Sequence, residues 1–190
     1  MNLEKIKNAN TKYIGKEIEY FKEISSTHTY AKEIALREKH SGKIIIAETQ
    51  TAGIGTKGRS WYTGENNNIA MTIILKPTCE IKKLEGLTIK IAECMKKTIY
   101  TLYQIQLEIK EPNDLILHHK KICGILTEMN TISGKINYLL ISLGMDVNEE
   151  QFSEETEKIA TSLKKEYHKQ FSREEIMVDF IENLEKEIEL

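Results

Sequence analysis

The sequence predicts a single α+β domain in which a mixed, largely antiparallel β-sheet is covered by helices. Three observations predict this class. Short segments rich in apolar and β-branched residues gather between residues 106 and 145, and brief turns separate them. Helical spacings of apolar residues occur before and after this group. The alternation of helices and strands is too irregular for a doubly wound parallel fold, so strands joined as hairpins are expected.

The first half of the chain is predicted to contain three strands and one helix. Residues 18–22 alternate apolar and polar side chains, as a half-buried strand does. Ser26 or Thr27 can cap a helix that ends near His40, with Gly42 as the residue after its end. The further strands expected in this half are residues 44–47 and 68–76.

The second half is predicted to begin with one long amphipathic helix over residues 81–102, where apolar residues recur at helical spacing. Four strands follow, joined by turns at residues 118–120 and 132–135. These strands are expected at residues 106–110, 115–117, 121–129 and 138–145. Two closing helices are expected at residues 154–165 and 172–189, and Ser172 with Glu175 has the spacing of a capping box.

Composition excludes several classes of protein. With 27 basic and 29 acidic residues the net charge is −2, which argues against nucleic acid as a partner. The three cysteines form no CxxC pair, which favours reduced, buried thiols over a disulfide framework or a zinc site. The first residues lack the apolar core of a signal peptide, and no apolar run is long enough to span a membrane. We therefore expect a cytoplasmic protein that does not bind a membrane, and one domain over residues 1–190.

A glycine-rich loop at residues 48–61 is the most informative segment. Gly53, Gly55 and Gly58 allow a backbone to approach an anion closely, and Lys57 and Arg59 add positive charge. A second basic segment, residues 110–115, places Lys110 beside a Pro-Asn-Asp turn. Together these segments predict a site for an anionic ligand that carries phosphate.

Six segments, in order along the chain, resemble those of the biotin protein ligases. Residues 53–61 (GIGTKGRSW) are similar to the family's GRGRRGRxW loop, and residues 110–114 (KEPND) to its KWPND motif. The other segments are STH at 26–28, KICGIL at 121–126, GMDVN at 144–148, and a C-terminal pattern at 160–163 and 171–174. The resemblance implies a mixed sheet with helices packed on it, in agreement with the fold class above.

The resemblance also implies an activity. A biotin protein ligase joins biotin to the α-phosphate of ATP, usually with Mg²⁺ bound through the phosphates, and then transfers biotin to a lysine of a biotin carboxyl carrier protein. Two negatively charged groups must meet, so fixed positive charge is needed where they do. Lys110, Lys57 and Arg59 are the expected catalytic residues. The protein itself is expected to hold no metal, and it is expected to be a monomer or homodimer.

The same resemblance assigns two sets of binding residues. The neutral ureido ring of biotin requires matched donors and acceptors, because an unmatched buried polar group costs about 1–3 kcal/mol. The biotin-binding set is Ser26, Thr27, His28, Gln50, Gly55, Thr56, Lys57, Lys110 and Gly124. The nucleotide-binding set is Gly53, Gly55, Gly58, Arg59, Trp61, Asn113, Lys121 and Asp146. An ordinary core role for Trp61 and a purely local turn role for Asn113 remain open.

Several positions depart from the family pattern. Ile54 and Thr56 stand where the loop normally carries arginine, so a cation is missing close to the expected phosphate. His28 replaces an asparagine, Glu111 replaces the tryptophan of KWPND, and Asp146 replaces the asparagine of GIN. The family's C-terminal β-barrel and N-terminal DNA-binding segment have no counterpart in these residues, so repression of transcription is not expected.

Two alternative functions remain open beside the ligase. A lipoate or octanoate ligase or transferase of the same superfamily is the enzymatic alternative, which the glycine-loop pattern disfavours. A degenerate member that binds biotin or its adenylate without transferring it is the second, which the altered loop and Glu111 favour.

Overall fold

The computed structural model describes residues 1–61, 63 and 67–188, with the backbone alone for Lys57. Over these residues the chain forms one seven-stranded sheet and six α-helices. The strands are β1 (Ile18–Ile24), β2 (Lys43–Gln50), β3 (Ile69–Leu75), β4 (Glu108–Lys110), β5 (Asp114–Leu117), β6 (Lys120–Ile132) and β7 (Lys135–Met145). The helices are α1 (Leu3–Lys7), α2 (Thr27–Ala35), α3 (Leu87–Tyr103), α4 (Glu154–Glu157), α5 (Leu163–Tyr167) and α6 (Arg173–Glu187).

The sheet is mixed and largely antiparallel, as predicted. Its strand order is β1-β2-β3-β7-β6-β5-β4, and only the β1–β2 pair runs parallel within the described sheet. The long β6–β7 hairpin lies near the centre and pairs Gly124 with Gly144. The α+β class expected from the sequence is therefore confirmed.

Helices cover the sheet on both faces, and the alternation of side chains along each strand decides which helix they meet. Ile45, Ile74 and Leu140 pack under α2 with Ala31 and Ala35. The neighbouring residues Ile44, Ile73 and Ile141 point the other way into the larger core, which α1, α3 and α6 cover. Thr72 and Ser142 stand one pleat repeat from Ile74 and Leu140, so their hydroxyls face α2.

Three predicted helices differ from the observed ones. The helix expected to reach His40 ends at Ala35, so Gly42, whose φ is +98°, belongs to the loop before β2 instead of a helix end. The helix expected over 81–102 divides into a short 3₁₀ turn, Ile81–Leu84, and α3. Gly86 separates the two in a left-handed conformation that interrupts a right-handed helix. The helix expected over 154–165 is two short helices, α4 and α5.

The sequence reasoning overlooked the N-terminal helix α1. Its Asn2 cap accepts a hydrogen bond from the Lys5 backbone amide at 3.2 Å, and Ile6 is fully buried against the core. A five-residue helix has too few turns to show a periodic pattern, which explains the omission.

The cysteines and the membrane prediction can be compared with the structure. Cys79, Cys94 and Cys123 are all free thiols, as predicted, and the last two are buried. Among the described residues, no helix combines the length and the apolar character needed to cross a membrane.

Candidate active site

A cavity opens on the α2 face of the sheet, where α2 begins, and together with the solvent at its mouth it encloses about 410 Å³. Its walls come from the start of α2, the end of β2, the glycine-rich loop, and the centres of β3, β6 and β7. The lining residues are Thr27, His28, Gln50, Ile54, Gly55, Thr56, Trp61, Met71, Asn113, Lys121, Gly124, Ile125, Leu126, Ser142, Leu143 and Gly144.

One end of the cavity presents neutral hydrogen-bonding groups. Gln50 ends β2, and its Oε1 accepts hydrogen bonds from the backbone amide of Thr27 at 2.8 Å and from its hydroxyl at 3.0 Å. The Gln50 amide nitrogen donates to Thr63 Oγ1 at 3.2 Å. Ser26 lies just behind this end, buried, and its Oγ caps α2 by accepting from the Thr29 backbone amide at 3.3 Å.

The glycine-rich loop folds back on itself over the cavity. The Trp61 amide donates to the Gly53 carbonyl at 2.8 Å, and the Gly55 amide donates to the Arg59 carbonyl at 2.6 Å. Arg59 is exposed, and its guanidinium donates to the Thr56 hydroxyl at 3.2 Å. The loop therefore places Thr56 in the cavity wall and directs Arg59 along its outer side.

Trp61 lies directly on the paired glycines of β6 and β7. A Cβ built on Gly144 would lie 2.3 Å from Cε2 of the Trp61 indole, and one on Gly124 would lie 3.0 Å from Cζ3. Because a side chain at either position would overlap the indole, glycine at both positions allows the ring to pack against the two strands. The Trp61 Nε1 is buried, and among the described residues it has no hydrogen-bond partner.

Among the side chains that the structure describes, Lys121 is the lysine that lines the cavity. Its Nζ lies 2.7 Å from Asp114 Oδ1 and 5.2 Å from the centre of the Trp61 ring. The Asp114 contact is an ion pair whose angle is unfavourable for a hydrogen bond. Asn113 donates to the Ile125 carbonyl at 3.0 Å and to Thr56 Oγ1 at 3.4 Å, which joins the second basic segment to the loop.

The structure brings together nine of the residues predicted from sequence and leaves others outside the cavity wall. The residues brought together are Thr27, His28, Gln50, Gly55, Thr56, Trp61, Asn113, Lys121 and Gly124. The predicted residues that do not line it are Ser26, Gly53, Gly58, Arg59, Lys110 and Asp146. Lys110 is exposed at the end of β4, one turn before Asn113. The Lys57 side chain lies outside the described part of the chain.

Asp146 follows the end of β7 and is buried near Lys121 with a perturbed carboxyl group. Burial raises its pKa well above the ordinary aspartate range, the nearby Glu149 raises it further, and Lys121 acts in the opposite direction. The side chain is 6 % exposed, and its backbone bridges β6 and α5 through the Ile122 carbonyl and the Leu163 amide. Asp146 therefore joins the end of β7 to β6 and α5 next to the site.

Sequence reasoning missed the lining residues that the sheet itself contributes: Met71, Ile125, Leu126, Ser142, Leu143 and Gly144. Ser142 is the most informative of them. Its Oγ lies 2.8 Å from His28 Nδ1 and 2.8 Å from Thr72 Oγ1. The sequence contains one indication of this role, because Thr72 and Ser142 are hydroxyl residues inside strongly apolar strands. Only the sheet register shows that both hydroxyls face the same helix.

Comparison with known proteins identifies the family. The model of the biotin/lipoate A/B protein ligase family matches residues 20–148. The chain therefore belongs to the biotin/lipoate A/B protein ligase family. It is 37% identical over 155 residues to the bifunctional ligase/repressor BirA of Bacillus spizizenii, a match that covers 80% of this chain and 48% of that protein. It is 27% identical over 129 residues to the biotin–[acetyl-CoA-carboxylase] ligase of Paracoccus denitrificans, covering 63% of this chain and 50% of that protein. The chain thus spans about half the length of these relatives.

Solved structures show the same fold. The biotin protein ligase from Aquifex aeolicus in complex with biotin and ATP is 25% identical and superposes with a TM-score of 0.74 over 90% of this chain and 71% of that one. The biotin protein ligase from Leishmania major in complex with biotinyl-5-AMP superposes with a TM-score of 0.73 at 23% identity, over 88% of this chain and 73% of that one. The seven-stranded sheet and its covering helices are therefore the fold of these catalytic domains.

Proposed function

We propose that this chain is the catalytic domain of a biotin protein ligase. It would activate biotin with ATP to biotinyl-5′-AMP and transfer the biotinyl group to a lysine of a biotin carboxyl carrier protein. The observation that carries the proposal is a single cavity with two chemically different ends: neutral amide and hydroxyl groups at Thr27 and Gln50, and a lysine at Lys121. It lies within the segment that the family model matches.

The neutral end suits the ureido ring of biotin, which has two N–H donors and one carbonyl acceptor. Gln50 and Thr27 offer both kinds of group within 3.0 Å of each other. The apolar side chains of Leu126 on β6 and of Ile54 and Trp61 in the loop complete the wall, and they suit the thiophane ring and valeryl chain. These contacts would decide specificity, because a ligand without matching polar groups would leave buried donors unpaired.

The end that carries Lys121 suits the reacting groups. In the first step a biotin carboxylate oxygen attacks the α-phosphorus of ATP, the bond to the bridging oxygen breaks, and pyrophosphate leaves. In the second step the neutral amine of the carrier lysine attacks the acyl carbon, an amide forms, a proton is lost, and AMP leaves. Lys121 would offset the negative charge that accumulates on the phosphate, while Asn113 and Thr56 hold the loop against β6.

Magnesium would accompany ATP through its phosphate oxygens, because Mg²⁺ keeps several waters and binds largely through substrate phosphates. The described residues contain no group of three or more His, Cys, Asp or Glu side chains that could hold a metal ion. The acceptor would be the biotin carboxyl carrier domain of a carboxylase, residues 1–190 would act as one domain in the cytoplasm, and the quaternary state would be monomeric or dimeric.

The test is pyrophosphate release that depends on biotin and ATP, measured with and without a carrier domain. A working ligase releases about one equivalent per protein without carrier and turns over continuously with it. Release without transfer, or binding of biotin without release, would contradict the ligase activity. Competition by lipoate or octanoate at lower concentration than biotin would assign the chain to the other branch of the family.

Site variants test which lysine stabilises the negative charge on the phosphate during adenylate formation. Lys121→Met is expected to lower the rate of adenylate formation by a hundredfold or so, the usual cost of removing one group that stabilises a transition state. Lys110 was the cation expected from sequence, so Lys110→Met is the comparison, and Lys135→Met, at the exposed tip of the β6–β7 hairpin, is the control. A loss confined to Lys110→Met would return the role to Lys110.

A further inference from the structure

His28 connects the cavity to the surface through three elements of the fold. It lies at the start of α2 and is 6 % exposed. Its Nδ1 is 2.8 Å from Ser142 Oγ on β7, and its Nε2 is 3.1 Å from Glu128 Oε2 on β6. Lys32, one helical turn further along α2, holds the second Glu128 oxygen at 2.8 Å. Ser142, His28 and Glu128 form a hydrogen-bonded relay that runs from the cavity wall to the partly exposed Glu128 carboxylate.

Glu128 fixes the proton on one side of the imidazole. Burial acts to raise the pKa of Glu128, but the hydrogen bonds from Lys32 and His28 outweigh it and hold that pKa below the ordinary glutamate value. An ionised carboxylate can only accept hydrogen bonds, so His28 Nε2 carries a proton. The variable proton of the imidazole is therefore the one on Nδ1, which faces Ser142.

Beyond Ser142 a series of hydroxyl groups leads to Gln50. Ser142 Oγ is 2.8 Å from Thr72 Oγ1, Thr72 Oγ1 is 3.0 Å from Thr27 Oγ1, and Thr27 Oγ1 is 3.0 Å from Gln50 Oε1. Including His28 Nδ1 to Ser142, this makes four contacts in a row. The two threonines and the serine supply one proton each, so three hydroxyl protons serve four contacts.

The fourth proton can come only from His28. If Nδ1 carries no proton, Ser142 must donate its hydroxyl proton to Nδ1. Two hydroxyl protons then remain for the three oxygen–oxygen contacts between Ser142 and Gln50, so one contact of about 3 Å has no hydrogen bond. If Nδ1 is protonated, it donates to Ser142, and each hydroxyl donates to the next until Gln50 Oε1 accepts the last. The second arrangement satisfies every contact, with Ser142 donating to Thr72. A ligand acceptor in the cavity can then take the Ser142 proton in place of Thr72 Oγ1, whereas a Ser142 hydroxyl that donates to Nδ1 has no proton to offer a ligand.

We propose that Ser142 is a further ligand-contacting and specificity-determining residue, and that His28, supported by Glu128, is a positioning residue whose protonation makes Ser142 a donor. The ligands that would bind more tightly to this donor are those with a neutral head group that carries a carbonyl oxygen, such as a cyclic urea. This inference rests on the proposed biotin-binding function. His28, which stands where the family pattern has asparagine, thereby couples ligand binding to the uptake of a proton.

The surroundings of His28 contain few other charges. On β6 the facing charged group is Glu128, on α2 it is Lys32, and on β7 the titratable Tyr138 lies near Lys32. The contribution of β3 is the uncharged Thr72. Histidine is the side-chain type that generally changes charge between about pH 5 and pH 8.

The experiment is calorimetric titration of the chain with biotin between about pH 5.5 and pH 8.5, the range in which histidine side chains titrate. Wild type is expected to bind more weakly as the pH rises, at a slope that approaches tenfold per pH unit for one linked proton. Titrations in two buffers of different ionisation enthalpy should show net proton uptake on binding at the alkaline end. The ¹⁵N shifts of the His28 ring should report protonation of Nδ1 when biotin is added.

Three variants separate this relay from a merely structural role. His28→Asn keeps a neutral donor close to the Nδ1 position, so it should bind biotin with an affinity that no longer depends on pH. Ser142→Ala should bind at least about tenfold more weakly at acidic pH and lose the same dependence, as expected for a lost hydrogen bond to a ligand. The matched control is His118→Asn, which breaks a second histidine–glutamate pair (His118 to Glu166, 2.7 Å) in an exposed turn. Thermal melting of each variant verifies that it folds.

The pH dependence of biotin binding separates failure of the relay from failure of the proposed function. Biotin binding by wild type that does not vary with pH, or His28→Asn with the wild-type slope, would overturn the relay while leaving the ligase proposal intact. A change in slope in His118→Asn as large as that in His28→Asn would also overturn it. No biotin binding at any pH would reject the proposed function and this inference together.

Discussion

Thr56 stands in the cavity wall, where its hydroxyl receives hydrogen bonds from Arg59 and Asn113 at 3.2 Å and 3.4 Å. The family pattern has an arginine here. A threonine cannot supply a charge or a fork of donors to a phosphate. Thr56 therefore holds the loop together, and it would offer a bound phosphate no charge of its own.

We predict that Thr56→Arg slows the release of preformed biotinyl-5′-AMP by about tenfold or more, because a hydrogen bond to a charged group contributes about 1.5–3 kcal/mol. Release is measured by stopped flow after rapid dilution. Thr51→Arg adds the same charge at an exposed position outside the cavity wall and serves as the control. Equal release from wild type and Thr56→Arg would contradict the prediction.

Asp146 gives a prediction for pH. Burial raises its pKa, so the folded state favours the protonated acid, and ionisation at neutral pH opposes folding. The contribution of Asp146 to stability is thus present at pH values below the ordinary aspartate pKa and is lost as the pH rises toward the raised value. Asp146→Asn removes the titration and should stabilise the chain at pH 7 by roughly 1–3 kcal/mol, as for other uncompensated buried groups.

Urea unfolding at pH 7 and near pH 4 provides the measurement for Asp146→Asn. The gain in the free energy of unfolding should shrink as the pH falls. Asp179→Asn, on the partly buried face of α6, is the comparison and should show no such trend. A gain that is the same at both pH values would indicate a cause other than ionisation.

At the scale of single residues, sequence could predict the polar groups of the motifs but not the partners they find. Thr27, Gln50, Asn113 and Lys121 were predicted and do line the cavity. Ser142 was not, because its role depends on a residue 114 positions away in sequence. Local spacing cannot reveal such a pair, since only the register of the sheet brings the two together.

At the scale of elements, the centre of the β6–β7 hairpin provides a flat floor for the indole of Trp61. A methyl group on Gly144 would overlap the ring, with 2.3 Å between Cβ and Cε2. We predict that Gly144→Ala lowers the free energy of unfolding by about 1–3 kcal/mol, the range for overpacked cores. Gly124→Ala, with 3.0 Å to Cζ3, should cost less.

A double-mutant cycle with Trp61→Ala tests this packing by urea unfolding. Removing the indole should relieve the overlap, so Gly144→Ala should cost little in that background. An equal cost in both backgrounds would show that the indole is not what Gly144 accommodates.

The element boundaries show where patterns fail. Apolar periodicity runs through residues 81–102 without a break, yet the chain turns at Gly86, whose φ is +72°. Periodicity reports which face is buried and does not report backbone conformation at one glycine. The strands are easier to predict from sequence, because the alternation of side chains and the turn residues define a hairpin locally. All seven predicted strands are present, and their bounds shift by a few residues.

At the scale of the whole molecule, one buried ion pair joins the C-terminal helix to the start of the fold. Arg173 at the head of α6 donates to Glu48 Oε2 on β2 at 2.5 Å and to the Asn68 carbonyl at 3.0 Å. Tyr20 on β1 donates to Glu48 Oε1 at 2.8 Å, and burial with this bond raises its pKa to about 12. Arg173 and Glu48 are 8 % and 3 % exposed.

We predict that Arg173→Met costs about 3–5 kcal/mol of the free energy of unfolding, because it removes the cation that hydrogen-bonds the buried Glu48 carboxylate. The Met1 amino group, 3.8 Å from Glu48 Oε1, is then the remaining positive charge beside it. Chemical denaturation measures the loss. Lys5→Met removes an exposed pair with Glu175 at 2.9 Å and should cost less than about 1 kcal/mol. Similar costs for the two variants would contradict the importance of burial. Arg173→Met with Glu48→Gln should recover part of the loss.

The position of Trp61 has an optical consequence. It is the only tryptophan of the chain, and its indole lies over two glycines with the Lys121 ammonium 5.2 Å from the ring centre. Indole emission responds to nearby charge and to the polarity of its surroundings. A molecule that enters the end of the cavity where Lys121 lies comes next to this ring, so its arrival should change the wavelength and intensity of the protein's own fluorescence. The chain thus carries a built-in reporter at the wall of its candidate site, and a titration can be followed without any label.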